Sequence, residues 1–169
     1  MGIDFKVVLK EVDESYPDGL APHEVALYIA EKKAHAFDEV LTNEIVITSD
    51  TIVVVDDEIL GKPESEAHAF QILSQLCGRK HKVITAVSLL SNKGLHSFFD
   101  TTEVYFKALT EEQLNYYIST GQPMDKAGAY GIQEWIGLIG IEKIVGSYTN
   151  VVGLPTEILY QQLIKFQVL

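Results

Sequence analysis

A chain of 169 residues, 47% of them apolar and 22% charged, is the size of one domain and apolar enough to build its own core, which excludes a disordered protein. Against 13 basic residues stand 24 acidic ones, a net charge of −11, and this excludes non-specific binding to nucleic acid or to an anionic membrane surface. A small anionic ligand stays open if a local cationic pocket or a metal ion offsets that field.

Ile3 to Leu9 predicts a short strand, and 13–22, "DESYPDGLAP", a loop. Val25, Ala26, Ile29, Ala30, Ala34 and Phe37 recur at helical spacing, so a helix is predicted over 22–38 with Pro22 in its first turn. Residues 44–55, "EIVITSDTIVVV", read as a buried strand, and "DDE" as a turn. After "ILGKP" comes a helix with Ser65 near its N-cap, Gly78 just past its end, and Phe70, Leu73 and Leu76 on its core face. Cys77, in that apolar pattern, reads as a small buried hydrophobe in a reducing compartment. The segments 81–90 and 95–106 form a hairpin across "SNKG". Thr110 and Gln113 have capping-box spacing for a helix to about Thr120, stopped by Gly121. A glycine-containing apolar run follows over 135–145. A last helix starts at Pro155 with Ile158, Leu159, Leu163 and Phe166 inward. Hairpins and crossovers together predict one α/β domain over 1–169 with a mixed sheet. No leader-like start and no apolar run of membrane-spanning length is seen, so no membrane partner and a cytoplasmic location are expected.

Four stretches stand apart. "TSDT" (48–51) interrupts an otherwise apolar strand with four polar residues. A carboxylate there is costly unless it is paired, hydrogen-bonded or on a metal. Asp50 is therefore a candidate metal ligand or general base, with a turn cap as the plainer alternative. "GKP" (61–63) holds Lys62 out of regular structure, which suits either a phosphate oxygen or solvent. "GRKHK" (78–82) is the densest basic patch and contains the sole arginine, Arg79, a ligand contact or a partner of the preceding helix's C-terminal dipole. "DKAGAYGIQ" (125–133) puts Asp125, Lys126, Tyr130 and Gln133 close together. Asp125 and Lys126 read by default as a structural ion pair. The Gln133 carboxamide, with a donor and an acceptor, suits the edge of a pyrimidine, and Gly128 and Gly131 would let backbone approach a flat base. "GSYTNVVGLP" (146–155) ends in a helix start where a phosphate can dock.

In this order and at these separations, "SDT", "ILGKP", "GRKH", "DKAGAYGIQ" and "GSYTNVVGLP" closely resemble the Maf family of nucleoside triphosphate pyrophosphatases, historically called septum formation proteins. The resemblance runs the length of the chain. It implies an elongated α/β fold related to the inosine triphosphate pyrophosphatases, with a cleft between two lobes. It implies hydrolysis of nucleoside triphosphates to monophosphate and pyrophosphate with a divalent metal, magnesium or manganese. Asp50 would be the catalytic proton acceptor; Thr51 and Gln133 would go with substrate choice; Lys62 and Lys126 would lie on the phosphate side, with Arg79 beside them. Glu14, Asp125 and Asp50 would contact metal or its water. The "DKAGAYGIQ" form goes with the branch acting on dTTP and UTP. The alternative expectation is a catalytically weak nucleotide-binding regulatory protein linked to septum formation. The expected partners are the nucleotide and a second copy of the chain in a homodimer. Family members carry a strand, an arginine loop and a helix ahead of a "GIDF"-like stretch, whereas this sequence starts "MGIDFKV". The expectation is a shortened start, an exposed strand edge and weakened turnover.

Overall fold

The computed structural model describes residues 1–37 and 44–166. Its frame is a five-stranded sheet in the order β2-β1-β3-β4-β5. The strands are β1 (Val46–Val55), β2 (Glu58–Leu60), β3 (Lys80–Ser91), β4 (Gly94–Phe106) and β5 (Ile141–Val145). Every described pairing is antiparallel, so the α/β reading stands while the mixed sheet does not. Both tight turns are hairpins: Asp56 and Asp57 take positive φ between β1 and β2, and β3 and β4 run in register from Lys80 opposite Tyr105 to Ser91 opposite Gly94. The segment from β2 to β3, which run in the same direction on either side of β1, is a helical crossover, and the helix-containing segment after β4 returns the chain antiparallel as β5.

Side-chain alternation along the strands divides the core. Ile52 and Val54 of β1 and Ile84 and Ala86 of β3 pack against Ala26 and Ala30 of α1 (Pro22–His35). Val53 and Val55 face the other way. They join Leu73 and Leu76 of α2 (Glu66–Leu76) and Leu114, Tyr117 and Ile118 of α3 (Glu111–Ser119) in the largest cluster. Along the sheet from these, Val87 and Leu89 meet Leu159 and Leu163 of α6 (Thr156–Lys165). The predicted caps are present: the Ser65 side chain accepts from the His68 N–H, and Thr110 and Gln113 form a reciprocal capping box.

Three elements differ from expectation. Residues 1–17 form no strand; Phe5 and Leu9 are 82% and 91% exposed. Apolar alternation alone cannot hold a strand that has no ladder partner and no face to cover. The helix predicted to 38 ends at His35, and position 38 lies outside the described residues. The run 135–145 divides into α4 (Trp135–Gly140) and β5. Gly140 ends the helix where a Cβ would lie 2.7 Å from the Phe106 ring. No described helix is long and apolar enough to cross a membrane.

Candidate functional site

The alternation that builds the core also aims the polar residues of β1. Asp50 shares the face of Ile52 and Val54, toward α1. Thr51 shares the face of Val53, toward the far side. On α1, Lys33 lies three residues after Ala30 and four after Ile29, on the helix's buried stripe. The two polar interruptions therefore meet: Lys33 Nζ donates to Asp50 Oδ1 at 2.6 Å. The same ammonium lies 2.9 Å from Glu14 Oε1, and Glu14 Oε2 accepts from Lys62 Nζ at 3.1 Å. Burial pushes the Asp50 carboxyl above its usual range, with Lys33 pulling the other way. The hydrogen bond from Lys33 holds Glu14 below its usual range. For Lys33, burial favours the neutral amine but is outweighed by its two carboxylates, so it stays an ammonium with a raised pKa.

Thr51 is committed differently. Its hydroxyl lies 2.9 Å from that of Thr85, directly opposite on β3. Thr85 in turn donates to the Asn150 carbonyl at 2.8 Å. Asn150 is fully buried in α5 (Tyr148–Val152), and its carboxamide donates to the Val83 carbonyl and to Thr102 Oγ1, each at 3.0 Å. "GSYTNVVGLP" thus works mainly as an anchor. Ser147 caps α5, Asn150 pins it to the sheet, and Val151 and Val152 are left facing Thr51 and Val53 across an opening. The helix start at Pro155 does not line that opening.

The 125–135 loop closes the opposite wall. Lys126 Nζ sits 2.7 Å from Asp125 Oδ1, 2.7 Å from the Gln122 carbonyl and 3.0 Å from Glu134 Oε1. The Tyr117 hydroxyl donates to the other Glu134 oxygen and accepts from the Gly131 N–H. The glycines serve this packing rather than a base. At Gly128, with φ of 68°, a Cβ would stand 2.8 Å from Val53, and the Gly128 N–H donates to the Gly61 carbonyl at 3.1 Å. At Gly131 a Cβ would strike the Glu134 carboxyl. "GKP" and "DKAGAYGIQ" are therefore tied together over β1. Gly128→Ala is expected to lower stability by about 1–3 kcal/mol through overpacking against Val53 and positive-φ strain; a denaturant midpoint within error of the parent would contradict it.

Together these walls enclose a cavity of about 260 Å³ lined by, among others, Lys33, Asp50, Thr51, Lys62, Lys126 and Gln133. Asp125 stands at its rim and Gln133 is exposed. A larger cavity of about 630 Å³ adjoins it beneath residues 8–12 and shares Lys33 and Ser49. Arg79 is not brought to the cleft; it pairs with Asp56 beyond the end of β1. Nor is His81, which is buried against Tyr130 at 2.7 Å and held neutral, its pKa pushed by burial down to about 4.

The expected divalent metal can be tested against these donors. Glu14 and Asp50 converge on a single cationic nitrogen, Lys33 Nζ, which is the arrangement two carboxylates need to share a cation. Magnesium sites are commonly completed by water and substrate phosphate around one or two carboxylates, so this pair fits. Asp125 does not join it, being paired with Lys126. Among the described residues no group of three or more His, Cys, Asp or Glu is placed to hold a metal.

Lys33 and Glu134 are the site residues that the motifs did not reveal. Lys33 carried a readable signal, a lysine on the apolar stripe of an amphipathic helix. Glu134 carried none, because its partner Tyr117 is 17 residues away on α3.

Fold and cleft together describe an α/β domain in which lysines and carboxylates face one another across one opening. The sequence model of the family described as Maf-like protein matches residues 1–166, and the chain belongs to that family. A dTTP/UTP pyrophosphatase of Flavobacterium psychrophilum is 48% identical over 98% of this chain and 85% of its own length. One of Bacteroides thetaiotaomicron is 46% identical over 98% and 86%. Another, of Cytophaga hutchinsonii, is 44% identical over 97% and 75%.

Proposed function

We propose that this chain hydrolyses dTTP and UTP to the nucleoside monophosphate and pyrophosphate, clearing nucleotide pools in the cytoplasm. The observation that carries the reading is the Asp50–Lys33–Glu14 cluster at one end of the cleft. It is joined by the kinship with relatives named for that activity.

In this mechanism Asp50 is the base that takes the proton of the attacking water. A carboxyl raised by burial is a better base than a solvated one. In the free protein Lys33 keeps Asp50 oriented and ionised. Lys62 and Lys126 reach the phosphate oxygens from the two loops that the Gly128–Gly61 hydrogen bond ties together, and positioned cations of this kind stabilise the charge that develops there. Glu14 and Asp50 are the residues that would hold a divalent metal ion, which supplies neutralisation of the triphosphate and polarisation of phosphorus. Val151, Val152 and Val53 give the nucleoside an apolar wall. Gln133, exposed at the cleft, is the reader of the base edge.

Incubation with UTP and magnesium should yield UMP and pyrophosphate. Tight binding without turnover would instead support the regulatory alternative. Gln133→Ala should cut dTTP and UTP turnover and flatten the preference over purine triphosphates, a loss of roughly 1–3 kcal/mol for an unpaired base edge. An unchanged ratio of UTP to GTP hydrolysis would count against it.

A further inference from the structure

The described lining of the cleft carries three lysines, and each is already ion-paired. Lys33 is held by Asp50 and Glu14, Lys62 by Glu14, and Lys126 by Asp125 and Glu134. Four carboxylates against three ammoniums leave this set one charge negative. A free polyphosphate, itself multiply negative, meets no unpaired cation there, and the whole chain's charge of −11 repels it further.

Glu14 is the keystone of that pairing. It is the one carboxylate that bridges two of the lysines, and it joins α1 to the loop after β2. It lies on a stretch with no helix or strand, fastened on both sides. Before it, Lys10 Nζ donates to the Ala36 carbonyl at 2.6 Å and Asp13 accepts from Lys32 at 3.0 Å; after it, the Ser15 carbonyl accepts from Lys32 at 3.1 Å. The backbone is thereby held while the side chain is half-exposed. The 630 Å³ cavity lined by Glu14 and Lys33 gives the carboxylate room to leave Lys62.

We propose that Glu14 acts as an internal competitor for phosphate, occupying Lys62 and Lys33 in the free protein, so that the cleft accepts a polyphosphate only as its divalent-metal complex. This rests on the polyphosphate reading of the cleft given above. When the ligand arrives with a divalent cation, Glu14 and Asp50 exchange the lysine ammoniums for that cation. Lys62 and Lys33 are then released to phosphate oxygens. The same carboxylate thus blocks the free anion and admits the neutralised one, which is a selection for the form of the ligand rather than for its base.

The test is calorimetric binding of inorganic tripolyphosphate, which needs neither nucleoside nor turnover. The parent protein should bind it in magnesium on the order of a hundredfold more tightly than in chelator at matched ionic strength. Glu14→Gln should raise the metal-free affinity about three- to tenfold and weaken the magnesium-dependent binding. Asp56→Asn removes an equal charge from the Arg79 pair, outside the cleft and away from the Glu14 stretch, and should leave the metal-free affinity at the parent value. Equal affinity of the parent with and without magnesium would overturn the proposal, even if Glu14→Gln did not fold. So would a folded Glu14→Gln with no gain in metal-free binding, or an equal gain from Asp56→Asn. Failure of UTP hydrolysis with these binding results intact would strike the assigned reaction and leave the Glu14 gate standing.

Discussion

Asp50→Asn is expected to lower UTP hydrolysis by about 10²–10⁴-fold, the range for loss of a general base, while the protein stays folded. The reason lies in the environment of the side chain. Asp50 is 11% exposed and its carboxyl is raised by burial, so the folded state gains nothing from burying this charge beyond what Lys33 returns. Asn keeps the shape, and Glu14 still satisfies Lys33. The parent's kcat/KM should therefore rise with pH through a step set above the ordinary carboxylate range, as Asp50 ionises. The variant should lack that step. A variant within a fewfold of the parent, or one keeping the same acid limb, would remove Asp50 from the role of base.

The second large effect is expected at Lys33. Lys33→Met leaves two carboxylates facing each other across the site with no cation between them. Turnover should fall by roughly 10²-fold. The acid limb of kcat/KM should also move to higher pH, because Asp50 loses the hydrogen-bonded ammonium that most favours its ionised form, leaving only the more distant Lys62. Stability should fall by about 1–3 kcal/mol at neutral pH. The sign of the pH dependence is fixed. An acid whose folded-state pKa is raised adds stability below its unfolded value and loses it as pH rises through the folded one. The deficit of the variant should therefore shrink toward acid pH. A deficit that grew on acidification, or an acid limb that stayed in place, would mean that Lys33 does not govern Asp50.

These two residues also show what the sequence could and could not reveal. β1 was legible because its apolar run is long and β-branched, and Asp50 stood out against it. The Ser65 cap, the Thr110–Gln113 capping box and the two hairpin turns were legible because their chemistry is local. The strand over Ile3–Leu9 was not, because whether alternation becomes a strand depends on a partner and a face to cover. The mixed sheet failed for a related reason: the helical crossover from β2 to β3 is there, but β1 lies between them, so two strands of the same direction never pair. In the cleft, Asp50, Thr51, Lys62, Lys126 and Gln133 line one cavity, a grouping that the family resemblance implied and that spacing alone did not. Arg79 does not, since the hairpin start that carries it lies at the Asp56 end of the sheet. Gly128 and Gly131 mark close packing against Val53 and Glu134, a three-dimensional cause that no local pattern encodes. Lys33 was readable in principle, because a charged residue on a buried stripe needs a partner, but which partner depends on the register of α1 against β1.

In the proposed reaction water attacks the α-phosphorus of a pyrimidine triphosphate, with Asp50 taking the proton. Hydrolysis of UTP in heavy-oxygen water tests it most directly. The expected products are UMP carrying the heavy oxygen and unlabelled pyrophosphate, a pattern lost with the activity in Asp50→Asn. Release of UDP and phosphate, or label in the pyrophosphate, would contradict it.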